Sequence, residues 1–250
     1  MVKIINKKNV TDTKSLKNRI DFNKKYSRYN FDEWIERFYN FRKSGSILDI
    51  GCGDGKQINF AIKGIGKKPN IVGVDLSTTS LEKIASKHKK IKNLKLINSN
   101  MDNIAKIEKV IKNKKFNLIH STYSIYYSTN PLKLIKYLKS KLNKNSRLII
   151  TIPGDLNTIK KILKIKEDNK KIKKDELENF FNKNFDKVQV NFLNNYLKVN
   201  NIDDLINFYT SSAIYEKNKL KYFIDYVKKK ILHNGYFQYN KSSIMFIGYN

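Results

Sequence analysis

The polar and apolar positions of this chain alternate between two rhythms. Short runs rich in Ile, Val and Leu occur at "SILDI" (46–50), "NIVGVD" (70–75), "LKLIN" (94–98), "FNLIHS" (116–121) and "RLIITI" (147–152). Between them, near 56–63, 78–89, 103–112 and 131–142, apolar residues recur at helical spacing. Short continuous apolar runs read as strands buried on both faces, and the longer stretches as amphipathic helices. The alternation predicts an α/β fold, a parallel sheet with helices on both faces. Asn130 followed by Pro131 reads as an N-cap with Pro at the first helical position, and Leu134, Leu138 and Leu142 then form one stripe. Thr79 and Glu82 have the spacing of a capping box.

The flanks follow other patterns. Asp32 and Glu33 open a predicted helix with Trp34, Phe38 and Phe41 on one face, expected to cover the sheet or a ligand cleft. A basic stretch over 160–181 reads as helical, and a strand is predicted at 186–193. Two helical segments follow near 202–211 and 216–232, the second carrying Leu220, Ile224, Val227 and Ile231. A last strand is predicted at 242–249. The expected organisation is an N-terminal helical cap (1–44) and one domain (45–250) with a helical insert, or lid, at about 195–232.

Composition changes this picture little. Forty per cent hydrophobic residues in 250, with 12% aromatic, suffice for a core. No apolar run approaches the roughly 20 residues of a membrane helix, and the first residues lack a signal-peptide centre. One cysteine, Cys52, excludes an internal disulfide and a Cys-built zinc site. His88 and His233 have no ligand spacing, so no metal is expected, and a cytoplasmic protein is the default. The formal net charge of +29 would suit an acidic partner. Its lysines are spread along the whole chain and Arg is scarce, which reads as a solvated surface and compositional drift.

The candidate chemistry lies in "ILDIGCGDGKQ" (47–57), between the first strand and the next helix. Ligands of open α/β sheets bind at that end of the strands. Dinucleotide loops use G-x-G-x-x-G, whereas Gly51, Gly53 and Gly55 give G-x-G-x-G, with Asp49 ahead of them. An acid there suits an ammonium group better than a diphosphate. Asp75 ends the second strand, where a carboxylate can accept from two ribose hydroxyls. The combination asks for an adenosine-like ligand with a cationic amino-acid end, and S-adenosylmethionine answers that description.

On "ILDIGCGDG", "VGVDLS" (72–77), "LINSNMDNI" (96–104), "FNLIHSTYSIYY" (116–127) and "PLKLIKYLKSKLNKNSRLIITIPG" (131–154), the chain resembles the class I S-adenosylmethionine-dependent methyltransferases. It is most similar to bacterial small-molecule members of the trans-aconitate methyltransferase-like kind, on "RIDFNKKYSRYNFDEWI" (19–35), "GKQ" (55–57), "TIPGDLNTIKKIL" (151–163) and the tail from "IDDLINFY" (202–209) onward. The resemblance implies a Rossmann-like seven-stranded sheet and S-adenosylmethionine as cofactor. It implies cofactor contacts at Asp49, Gly51, Cys52, Gly53, Asp75, Leu76, Met101 and Ser121. Asn100 stands where the family has an adenine-binding Asp, and its amide oxygen can still meet the adenine amino group. Asn117 replaces the usual Asp of the fourth strand, and Lys144-Asn145 the usual glycine pair. Arg19 and Tyr26 are expected to close over the methionine carboxylate, with Tyr26 also at the substrate.

The acceptor is expected at the end of the fourth strand, lined by Tyr123, Tyr126 and Tyr127, with Trp34 in the lid. His120 and Tyr123 are the catalytic candidates. Alternation along the strand equally allows the His120 ring to be buried beside the sheet, and the Cys52 side chain reads as a small buried filler in preference to a reactive thiol. The expected substrate is a small, acidic or phosphorylated metabolite methylated on O or N. Two alternatives stand beside it: an RNA methyltransferase resembling cap guanine-N7 enzymes, and a regulatory protein that binds the cofactor without turnover.

Overall fold

The predicted strands appear as β1 (Ser46–Ile50), β2 (Asn70–Asp75), β3 (Leu94–Asn98), β4 (Phe116–Thr122) and β5 (Leu142–Asn157). The structure, a computed structural model, describes residues 12–41, 45–66, 69–165 and 172–250. With β6 (Lys187–Val199) and β7 (Phe237–Tyr249) these strands make one mixed sheet in the order β3-β2-β1-β4-β5-β7-β6. β1 pairs in parallel with both β2 and β4, so the strand order reverses there. That is the switch point of an open α/β sheet, and its crevice lies beyond the C-terminal ends of β1 and β4.

Ten α-helices are present among the described residues: α1 (Thr13–Tyr26), α2 (Phe31–Tyr39), α3 (Lys56–Ile65), α4 (Thr78–Lys87), α5 (Ile104–Ile111), α6 (Pro131–Ser140), α7 (Thr158–Ile162), α8 (Lys174–Asn184), α9 (Ile202–Thr210) and α10 (Leu220–Asn234). Asn130 caps α6 by accepting the Lys133 N–H at 3.1 Å, and Leu134 and Leu138 are buried on it, whereas Leu142, expected on the same stripe, lies past the helix end at Ser140 and opens β5. α4 departs from expectation. Its cap is Ser77, whose Oγ accepts the Ser80 N–H at 3.3 Å, so Thr79 already lies inside the helix. The Ser77 N–H is itself held by Asp75 Oδ1 at 2.8 Å. The basic stretch is not one continuous helix: α7 stops at Ile162, Lys164 turns left-handed with φ 47°, and α8 starts at Lys174. Residues 166–171 of that stretch, and 1–11 and 42–44 of the expected cap, lie outside the described residues.

The described chain divides into two compact units. One comprises 32–41, 45–66, 69–153, 172–192 and 243–250. Its larger core joins Leu48, Ile50, Val72, Val74, Ile119, Ile150 and Phe246 from the sheet with Ile107, Leu134, Leu138 and Phe181 from the helices. On α2, Trp34, Ile35 and Tyr39 are buried. Phe41 is buried too, but past the helix end, because Asn40 takes φ 42°. The other unit comprises 12–31, 154–165 and 193–242. Its core gathers Phe22, Ile159, Leu197, Leu205, Tyr209, Phe223, Val227 and Tyr239. In α10 the buried line is Phe223 and Val227, and Leu220, Ile224 and Ile231 flank it half-buried. No helix of the described residues is long and apolar enough to cross a membrane.

Candidate active site

From Ile50 the chain turns through five residues into α3. Gly51, Gly53 and Gly55 have φ of 73°, 53° and 77°, the left-handed region open to glycine. For two of them the obstacle to a side chain is the protein itself. A Cβ on Gly51 would stand 2.3 Å from Ser124 Cβ, and one on Gly55 would stand 2.6 Å from Ile84 Cγ1. The loop amides are also used internally. Gly51 and Cys52 N–H donate to the Val74 carbonyl at 2.7 and 3.1 Å, Gly55 N–H to the Cys52 carbonyl at 3.0 Å, and Gly53 N–H to Asp75 Oδ2 at 2.8 Å. A diphosphate cradle aims such donors outward at its ligand. This loop instead leaves acceptors at the strand ends.

Asp75 is the main one. Each of its oxygens takes one backbone N–H, Gly53 and Ser77, both at 2.8 Å. An ionised carboxylate has about four acceptor sites, so the half-buried group retains capacity for hydroxyl donors. Leu76, next in the chain, is 58% exposed. After β3, Asn100 is exposed and its Oδ1 accepts the Asp102 N–H at 2.9 Å. Met101 reaches back over the loop: its Cε lies 3.7 Å from where a Gly51 Cβ would be.

The end of β4 has two faces. On one, Ser124 Oγ donates to the Ile50 carbonyl at 2.6 Å. Its single hydrogen is thereby used, so Ser121 is the donor in the 2.5 Å Ser121–Ser124 contact. Ser121 is wholly buried. Through Ser124 it supports Gly51 from beneath. Cys52 is likewise buried beside Gly73, and burial pushes its thiol well above the usual range.

On the other face, His120 and Asp49 are register partners across β4 and β1. His120 Nδ1 stands 3.4 Å from Asp49 Oδ1, and the residues are 0% and 2% exposed. The imidazole packs against Tyr39, with ring centroids 4.8 Å apart, and edge-on to Phe41 at 6.3 Å. Burial pushes His120 down to about 3 and Asp49 well above the carboxylate range. The expected base therefore does not reach the strand-end surface. The alternation of β4 turns its ring under the α2 layer, which also contains Trp34.

Tyr123 follows β4 with φ 54°, its N–H donating to the Thr151 carbonyl at 2.9 Å. Its hydroxyl hydrogen-bonds Ser243 Oγ, and burial pushes it up to about 12. Tyr126 and Tyr127 share the next 3₁₀ turn, half-buried, with ring centroids 4.6 Å apart. Lys56 opens α3 and pairs with Asp32 of α2 at 2.7 Å. Arg19 and Tyr26 belong to the other unit, on α1. There the Tyr26 hydroxyl donates to Asp204 Oδ2 at 2.5 Å, beside the 2.7 Å Lys25–Asp204 ion pair. Sequence reasoning missed Ser124 and Ser77, because each acts through a backbone contact that leaves no spacing signature. Among the described residues no cluster of His, Cys, Asp and Glu could hold a metal ion.

This geometry can be set against known proteins. The family described as "Methyltransferase domain" matches residues 41–226. The chain belongs to that family. It is a class I S-adenosylmethionine-dependent methyltransferase, and S-adenosylmethionine is its cofactor. Solved structures similar to this methyltransferase include the YcgJ protein of Bacillus subtilis, 14% identical with a TM-score of 0.60 over 87% of this chain and 97% of that one. The plantazolicin methyltransferase BpumL in complex with SAH is 15% identical, with a TM-score of 0.55 over 98% and 94%. The MccD protein is 16% identical, with a TM-score of 0.57 over 89% and 97%. At these identities the likeness is one of fold. No curated protein sequence matches the methyltransferase.

The residues of the loop fit the cofactor. Asp75 retains acceptor sites beyond the Gly53 and Ser77 N–H groups it already holds, and Asp49 has a buried oxygen, Oδ2, without a hydrogen-bond partner. When bound, the cofactor supplies a sulfonium-activated methyl group.

Proposed function

We propose that this methyltransferase acts on an oxygen or nitrogen of a small acidic metabolite that arrives already nucleophilic, a carboxylate foremost. The supporting observation is the state of the two titratable side chains expected to act at the end of β4. Tyr123 is tied to Ser243 with its proton held up to about 12, and His120 is buried and held neutral. Neither accepts a proton from a substrate at neutral pH. An alcohol or an ammonium group must lose one to react, and a carboxylate need not.

In this reading the protein accelerates transfer by alignment and exclusion of water, which in well-oriented systems is worth about 10⁵–10⁸ M of effective concentration. Asp75 accepts from the ribose hydroxyls, Asp49 faces the ammonium group, and Leu76, Met101 and Asn100 flank the adenine. Tyr123, Tyr126 and Tyr127 offer flat apolar area with polar tips to the acceptor.

Labelled S-adenosylmethionine incubated with fractionated cell extract tests this. The label should enter the small-molecule fraction in a form released as methanol by alkali, as from a methyl ester. At saturating cofactor, kcat should be flat between about pH 6 and 9, since no side chain titrates as a base. Label in RNA or protein would contradict the reading.

A further inference from the structure

Asp49 and His120 form a buried pair whose polar atoms the contacts within the protein leave unsatisfied. Asp49 Oδ2 and both ring nitrogens of His120 are buried without a hydrogen-bond partner, and the closest approach within the pair is 3.4 Å. Every element packed around the carboxylate brings a neutral or acidic group. The loop brings the Cys52 thiol and Asp54, the end of β2 brings Asp75, and α2 brings the Tyr39 phenol. Two cations of this unit are engaged elsewhere. The Arg147 guanidinium on β5 donates to the Tyr39 carbonyl, and Lys56 pairs with Asp32. A buried carboxylate with no counter-charge keeps its proton.

We infer that His120 is a positioning residue that acts through Asp49, and that the pair gives up one proton to solvent when the cationic cofactor binds. The inference rests on the reading above, in which Asp49 faces the ammonium group. That ammonium supplies the positive charge the protein withholds. The Asp49 O–H bond breaks, the proton passes to buffer, and the electron pair stays on a carboxylate. His120 stays neutral throughout and turns an Nδ1–H toward Asp49 Oδ1, which holds the carboxylate in place. The product S-adenosylhomocysteine retains the ammonium group, so it elicits the same proton release and serves as the probe without turnover.

The test is calorimetric titration of the full chain with S-adenosylhomocysteine, at one pH, in buffers of different ionisation enthalpy. The wild type should release close to one proton, and its Kd should tighten about tenfold per pH unit until the pair is ionised. Asp49→Asn should bind with no proton release. His120→Phe should move the midpoint of the Kd–pH curve upward, and His120→Asn, which restores an N–H donor, should move it back. A purely structural His120 would lower the melting temperature of His120→Phe and leave that midpoint in place. Should neither His120 variant fold, the wild-type and Asp49→Asn proton counts decide. Wild-type binding with no proton exchange and a flat Kd–pH curve overturns the inference while leaving the cofactor reading intact. No binding by the wild type at any pH overturns the cofactor reading, and this inference with it.

Discussion

Gly51 is required by Ser124 before it is required by any ligand. The Ser124 hydroxyl bonds the Ile50 carbonyl and fills the space where a Gly51 side chain would project. Gly51→Ala therefore meets both a left-handed φ of 73° and a 2.3 Å clash. It should cost at least about 2 kcal/mol of stability in urea unfolding. The double variant Gly51→Ala with Ser124→Gly should recover part of the loss by removing the clash. If Gly51→Ala alone were neutral, the glycine would be serving the ligand only. Ser121 and Cys52, expected at the cofactor, are likewise packed against the protein itself, Ser121 on Ser124 and Cys52 beside Gly73.

At the scale of elements, α5 and α6 are joined through one carboxylate. Glu108 accepts from Lys141 Nζ at 2.6 Å, from the Tyr137 hydroxyl at 2.7 Å and from the Asn113 N–H at 2.9 Å. Led by the Lys141 contact, these bonds hold its carboxyl down to about 2. A carboxylate depressed in the folded state stabilises above its unfolded value, near 4.5, and the contribution disappears as pH falls toward 2. Glu108→Gln should thus lose stability at neutral pH and show a shallower decline between those limits than the wild type. Parallel acid limbs for the two proteins would mean that Glu108 is not the linked group.

The elements most legible in the sequence are those buried on both faces. β1, β2 and β4 had to be continuous apolar runs, and their ends were visible to within a residue or so. β5 was visible only in its middle, because its start, "LNKNS", is polar and bends through Asn145 at φ 58°. The lower part of the site was hidden for a different reason. Asp49 and His120 look like ordinary polar positions until strand register places them side by side. Ser124 and Ile50 are 74 residues apart in the chain, and no local pattern joins them. Asp75 was legible because its role belongs to the end of a strand, a position that apolar periodicity does locate.

For the whole molecule, the net charge of +29 acts as self-repulsion. Raising salt from about 10 mM to about 150 mM shortens the screening length from roughly 30 to 8 Å. The melting temperature should rise accordingly, and a constant value would mean that the dispersed lysines repel one another no more in the folded chain than in the unfolded one. The two compact units each have their own core, and the cofactor loop lies entirely within the one containing β1 to β4.

The account rests on Asp75 joining the glycine loop to the ribose. Calorimetric titration of S-adenosylmethionine into the wild type and Asp75→Ala tests this most directly. The wild type should bind one equivalent, and the variant should bind about 100-fold more weakly or not measurably, since hydrogen bonds to a charged group are worth roughly 1.5–3 kcal/mol each. Equal affinity in the two proteins would contradict the account.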